Sequence, residues 1–286
     1  MIWFRRNVSP YVYAAFGNKA LRFGYSIQIR MALTIDRFNG RVSSFDRGQE
    51  YDYRTVEFVL SLTKEEMHEM TKFLDFRLAA VDEYFQLFAS SDNGFFVAGP
   101  DFPPPESGGG GYGMTLLDNG YSSMKLDHFG NYECRLRVLL YGLPTPPPVP
   151  PQPNSNWPRK SFEIGSVAGL RDPKIAPKQE IAATRGVSLG GQPTVIRRLT
   201  DEATTTLSIS DTTQSMARIV SYLQQVRGGT FMLRGCDNFW PFGGARDVNP
   251  GEWPVRLLDN TITLVHNTWD TWTMSLKLWN AEAAND

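Results

Sequence analysis

The chain has 286 residues, 41% of them hydrophobic and 13% aromatic, with a formal net charge of −1. Its length suits two domains of about 140 residues, each able to bury a core, and the apolar content excludes a wholly disordered chain. Lys and Arg (29) nearly balance Asp and Glu (30), so the basic excess of a general nucleic-acid binder is missing.

Two cysteines, Cys134 and Cys236, are too few for a disulfide scaffold or a Cys-based zinc site. They read as free buried thiols, with a single bridge as the alternative. No apolar run approaches the ~18 residues of a membrane-spanning helix. The opening stretch MIWFRRNVSP lacks the apolar core of a signal peptide, so folding in a cytoplasm without a membrane is expected.

The first segments alternate. Leu21, Phe23, Tyr25, Ile27 and Ile29 fall on one face of a strand. Asn39-Gly40 between Leu33–Phe38 and Arg41–Phe45 predicts a hairpin. The polar stretch Arg47–Asp52 reads as a loop. Val56, Phe58, Leu60 and Leu62 then line one face of a strand over Arg54–Leu62.

There the period changes. Thr63-Lys64-Glu65-Glu66 has the form of a capping box. Met67, Met70, Leu74 and Leu78 follow at helical spacing, and the helix is extended to about Phe88. A strand is expected at Gly94–Ala98. The loop Pro100–Gly113 follows, and Met114–Leu117 with Asn131–Tyr141 read as a closing strand pair.

Leu143–Pro158, with eight prolines in sixteen residues, cannot enter a helix or a central strand. It reads as an extended linker. The expected layout is therefore a domain at 1–142, a linker at 143–158 and a second domain at 159–286.

Phe162–Val195 gives no clear pattern. From Thr204 the earlier order returns. Thr205, Leu207 and Ile209 alternate, and Asp211-Thr212-Thr213-Gln214 offers a helix cap. Met216, Ile219, Leu223 and Val226 make a helical stripe, and Gly228-Gly229 ends it. A strand at Thr230–Leu233, a loop through Asp247–Pro254 and a final pair, Val255–Leu258 with Thr271–Trp279, complete the chain.

Residue matches strengthen this likeness. Leu116-Leu117-Asp118-Asn119 recurs as Leu257-Leu258-Asp259-Asn260. Tyr132, Cys134, Leu136 and Val138 match Trp272, Met274, Leu276 and Leu278 at an offset of 140. Phe58, Leu60 and Met67 match Leu207, Ile209 and Met216 at an offset of 149. Phe95-Phe96-Val97 is aligned with Phe231-Met232-Leu233. The pattern predicts a duplicated α+β unit, mainly antiparallel β, built as a sandwich or barrel with one packed helix. Its polar outer faces, with Glu133, Arg135 and Arg137, suit sheet extension to a neighbour.

The strand–helix–strand–hairpin order at Arg54–Tyr141 and Thr204–Trp279 resembles the tail-tube fold of phage tails and related contractile machines. Two such units in one chain look like distal tail and baseplate hub proteins. The resemblance implies a structural virion protein assembled in the host cytoplasm, without enzymatic activity. Its implied partners are copies of itself, the tail tube protein and other tail-tip proteins. A homotrimer would present six similar units, with a hexamer as the alternative. The rival expectations are a carbohydrate-binding β-sandwich and, behind it, an unrecognised hydrolase.

Recognisable catalytic, cofactor and metal patterns are lacking. His68, His128 and His266 are far apart in sequence and read as solvent-facing or satisfied histidines. Ser107–Gly113 lacks the lysine and hydroxyl ending of a phosphate loop. No cofactor, metal or sequence-specific nucleic acid is expected. Trp272 falls on the inward phase. Trp240, Trp253 and Trp279 are the candidate interface residues, and the loops Arg47–Tyr53, Pro100–Gly113 and Asp237–Trp253 the candidate contact loops.

Overall fold

A computed structural model describes residues 2–6, 13–16, 21–38, 41–78, 85–89, 99–101, 112–118, 120–141, 162–180, 183–187, 193–197, 202–235, 242 and 252–281. Before the proline segment lie β1 (Ile2–Arg6), β2 (Tyr13–Phe16), β3 (Ser26–Arg30), β4 (Leu33–Phe38), β5 (Arg41–Asp46) and β6 (Tyr53–Leu62). Helix α1 (Lys64–Leu78) follows, then β7 (Phe85–Ala89), β8 (Tyr112–Leu116), β9 (Ser123–Leu126) and β10 (Tyr132–Tyr141). After it come β11 (Phe162–Ile164), β12 (Val167–Leu170), β13 (Lys174–Glu180), β14 (Ala183–Val187), β15 (Pro193–Arg197) and β16 (Glu202–Thr212). Helix α2 (Thr213–Val226) leads to β17 (Phe231–Arg234), β18 (Glu252–Leu257), β19 (Thr261–Thr268) and β20 (Thr271–Asn280). The class is α+β, mostly antiparallel β with two α-helices among the described residues.

Local chemistry places the strand-to-helix corner. Val56, Phe58, Leu60 and Leu62 of β6 are all buried, as strict alternation requires. At Thr63 the chain turns into α1. The Thr63 hydroxyl accepts from the Glu66 N–H at 3.2 Å, and the Glu66 carboxylate accepts from the Thr63 N–H at 2.9 Å. Both arms of the capping box are thus present. Met67, Met70, Phe73 and Leu74 form the buried face of α1. Each such side chain contributes about 1.5–3 kcal/mol. In α2, Thr212 caps by accepting from the Ser215 N–H at 3.3 Å, and Met216, Ile219 and Leu223 are fully buried.

The strand pairings before and after the proline segment follow one scheme. The pairs β1·β2, β1·β7, β7·β8, β8·β10, β9·β10, β6·β10, β3·β6 and β4·β5 have counterparts. These are β11·β12, β11·β17, β17·β18, β18·β20, β19·β20, β16·β20, β13·β16 and β14·β15. The registers agree as well. Leu136 faces Phe58, and Leu276 faces Leu207, reproducing the offsets of 140 and 149. The repeated Leu-Leu-Asp segments make the same bonds. Leu117 N–H donates to the Arg137 carbonyl at 3.0 Å, and Leu258 N–H to that of Lys277 at 2.9 Å. Asp118 lies 3.5 Å from Arg137, and Asp259 3.9 Å from Lys277.

β10 and β20 each fork the sheet. The first part of β10 pairs with β9 and its last part with β8. β20 does the same with β19 and β18. One arm of each fork is a four-stranded run, β3–β6–β10–β9 or β13–β16–β20–β19. The other carries β8–β7–β1–β2 or β18–β17–β11–β12.

Several expectations are corrected. The described helix runs to Leu78, and Phe85–Ala89 is strand β7 rather than further helix. A short apolar run such as FQLFA carries no period that separates the two. β17 therefore corresponds to β7, with Phe231 opposite Val255 as Phe85 is opposite Met114, and not to Phe95-Phe96-Val97. The expected strand at Gly94–Ala98 and the linker Leu143–Pro158 lie outside the described residues. β9 and β19 were missed between the strands of each closing pair. Gly24, at φ 91, interrupts the first alternating run, so Phe23 turns outward and β3 begins only at Ser26.

Candidate assembly interface

Among the described strands, one pairing has no counterpart: β19 with β3. It joins the two four-stranded runs into a continuous sheet. Leu264 lies opposite Ile27 and Ile262 opposite Ile29, and all four are fully buried. Met31 N–H donates to the Asn260 carbonyl at 2.8 Å, and His266 N–H to that of Tyr25 at 3.1 Å. The Asn260 side-chain amide donates to the Leu33 carbonyl at 3.1 Å.

An aromatic cluster closes one end of this seam. The His266 ring centroid lies 4.3 Å from that of Trp272, 5.0 Å from Tyr25 and 5.4 Å from Phe23. Burial drives the imidazole pKa down to about 4, while a backbone hydrogen bond at Trp269 and the charge of Asp270 pull weakly upward. From the sequence, His266 reads as a solvent-facing or satisfied histidine. It is a fully buried strand residue, packed against Tyr25, which precedes β3, and Trp272 of β20.

A polar latch closes the other side. Arg227 follows α2 in the left-handed region, at φ 51. Its guanidinium donates to both Asp52 carboxylate oxygens at 2.8 and 3.0 Å, and its Nε lies 2.6 Å from Asp46. Burial alone would lower the arginine pKa, but bonds to Asp52 and Asp46 outweigh it and raise it. Burial would raise the Asp46 pKa, but Arg227 and the Gly48 N–H hold it below the ordinary carboxylate value. Asp52 also accepts from the Ala32 N–H at 2.7 Å. Nearby, Gln49 donates to the Gln224 carbonyl at 3.2 Å and Ser44 to that of Gly228 at 3.0 Å. A Cβ at Gly228 would stand 2.1 Å from the Ser44 Oγ, so glycine is required for this approach. The β4–β5 hairpin and the turn after it thus hold the C-terminal end of α2. The loop Arg47–Tyr53, expected to meet a partner protein, uses Gln49 and Asp52 within the chain.

At the far ends of the continuous sheet, β9 pairs only with β10 and β13 only with β16 among the described residues. β9 exposes Met124 (52%) and Leu126 (64%), and the following turn exposes Phe129 (78%). Exposed apolar side chains on an open strand edge are the usual mark of a contact surface. An open groove of about 650 Å³ lies beside the seam, lined by Arg30, Arg47, Tyr51, Tyr53 and Asn260 among others.

Two of the three candidate tryptophans do not line this surface. Trp253 and Trp279 are both 3% exposed, so neither presents a platform to a partner. Trp253 alternates inward with Val255 and Leu257, and its ring packs at a tilt 5.9 Å from that of Phe242. Trp279 lies on the outward phase, but the end of β20 runs between β16 and β18. Leu278, Trp279 and Asn280 are buried in succession there, so both faces are covered. Trp240 lies outside the described residues. Trp272 is core, and Trp269 is the exposed tryptophan of the β19–β20 turn.

Among the described residues no three His, Cys, Asp or Glu side chains come together as metal ligands. Cys134 is a free, buried thiol whose pKa burial raises to about 11. His68 and His128 are exposed. No family model matches the chain, and no curated protein matches it.

Proposed function

We propose that this protein is a structural component of the tail tip of a bacteriophage or phage-like particle, forming a ring at the distal end of the tail tube. In this reading the chain is a tandem pair of tail-tube-like domains, 1–142 and 159–286, separated by the linker at 143–158. It is of the distal tail or baseplate hub type, acts in the virion tail, and catalyses nothing. Its partners are its own copies, the tube protein and other tail-tip proteins.

The observation that carries the reading is the repeated four-stranded run. Two such runs are already joined edge to edge by β19·β3, and both outer edges of the pair are open among the described residues. A head-to-tail surface of this kind generates a ring when its rotation closes. Three chains then supply six similar units, which favours a homotrimer, with a hexamer as the alternative. Trp253 is core, so the glycan-binding reading keeps only Trp240 of its two loop tryptophans.

Native mass spectrometry and electron-microscopy class averages of the purified chain test the proposal. A closed three-copy ring is expected. A monomer that persists at about 10 μM, far above the dissociation constant of a standard-size interface, refutes it.

A further inference from the structure

The seam within one chain supplies a template for the contact between chains. We infer that β9 of one copy pairs antiparallel with β13 of the next, in the register that β19 and β3 adopt inside the chain. This rests on the ring reading and specifies its interface.

The registers fix the alignment. Met124 and Leu264 hold the same place, opposite Cys134 and Met274. Pro177 and Ile27 hold the same place, opposite Thr205 and Val56, which are matched positions of β16 and β6. Since Leu264 faces Ile27, Met124 is set to face Pro177. Leu126 then faces Ile175, as His266 faces Tyr25, and Lys125 faces Ala176.

Burial gives the reason. Leu264 and His266, which lie against Ile27 and Tyr25, are fully buried, whereas Met124 and Leu126 at the same places stand 52% and 64% exposed. Asp127 falls next to Lys174, which offsets the like-charge approach of Lys125. Pro177 lacks the N–H that Ile27 supplies, so the ladder has one bond fewer than its template. The β14–β15 hairpin follows the same logic. It occupies the chain position of β4–β5, which grips α2, and among the described residues it pairs with no other strand. It is placed to lie over the C-terminal end of α1 in the adjacent copy.

The template's backbone bonds run through Tyr25 and Met31, so Ser26 and Val265 form a non-hydrogen-bonded pair with Cα atoms about 4.5 Å apart. Their counterparts, Ala176 and Lys125, are then within disulfide reach. The double variant Lys125→Cys/Ala176→Cys, in a Cys236→Ser background, is treated with copper-phenanthroline in air. The expected product is a reducible covalent multimer. Lys125→Cys/Lys174→Cys, two residues out of register at about 8 Å, yields about ten-fold less.

Equal cross-linking by both pairs refutes the register. A ring by native mass spectrometry without the in-register product refutes the edge assignment and leaves the ring reading standing. A monomer without any covalent product refutes both. As a second arm, Leu126→Glu, a change at an exposed site, should abolish the multimer while leaving the circular dichroism spectrum unchanged. A multimer that survives it also overturns the inference.

Discussion

Acid should weaken the seam through His266. The imidazole is held neutral by burial, with its pKa near 4 against an ordinary 6.5. The unfolded chain therefore binds the extra proton between those values, and stability falls as pH drops through that window. At pH 7 the loss is negligible. By pH 5 it reaches about 2 kcal/mol, and it approaches a limit of about 3 kcal/mol below pH 4. Carboxylates also lose stabilising charge in this range, so the contribution of His266 is the difference from a variant that cannot titrate. His266→Phe keeps a ring among Tyr25, Trp272 and Phe23. Urea unfolding of both proteins at fixed concentration, from pH 7 to pH 5, reads the effect directly. The wild-type midpoint should fall by roughly 0.7 M more than that of the variant, for an m-value of about 3 kcal/mol/M. Parallel curves over that range refute the claim that a neutral, desolvated imidazole closes the seam.

Two further outcomes follow from the same interior. Arg227→Ala strands the buried Asp52 carboxylate and should cost about 3–5 kcal/mol. Arg227→Gly should cost about 1 kcal/mol less, because φ 51 is unstrained only for glycine; chemical denaturation of both gives the order, and Gly at or below Ala contradicts the account. Cys134, with its thiol pushed up to about 11 by burial, should resist a thiol reagent at pH 8 in a Cys236→Ser background and react fully in denaturant. Rapid labelling of the folded protein overturns this assignment.

Local signals made the repeated core legible. Alternation in Val56–Leu62 and Leu207–Ile209, the Thr63–Glu66 cap, and the inward positions of Tyr132–Val138 and Trp272–Leu278 each depend on neighbours within a few residues. They fixed the offsets of 140 and 149 that the strand registers reproduce. The interface was less legible, because its partners are distant in sequence. His266 is buried by Tyr25, and Arg227 is paired with Asp52, across most of the chain. β9 escaped notice because Met124 and Leu126 are its only apolar side chains and both face solvent. Trp279 misled for the opposite reason: phase reports which side a strand residue points to, and not whether that side is covered.

The β19·β3 seam also bears on how the protein is made. β3 leaves the ribosome more than two hundred residues before β19. At about 5–20 residues per second, its outer border waits for roughly 10–50 s of translation. Nascent chains crowded on one polysome could trade that border with each other before the proper strand arrives. Slow synthesis or high expression should therefore yield interlocked aggregates, whereas lower temperature and a holding chaperone should raise the soluble yield.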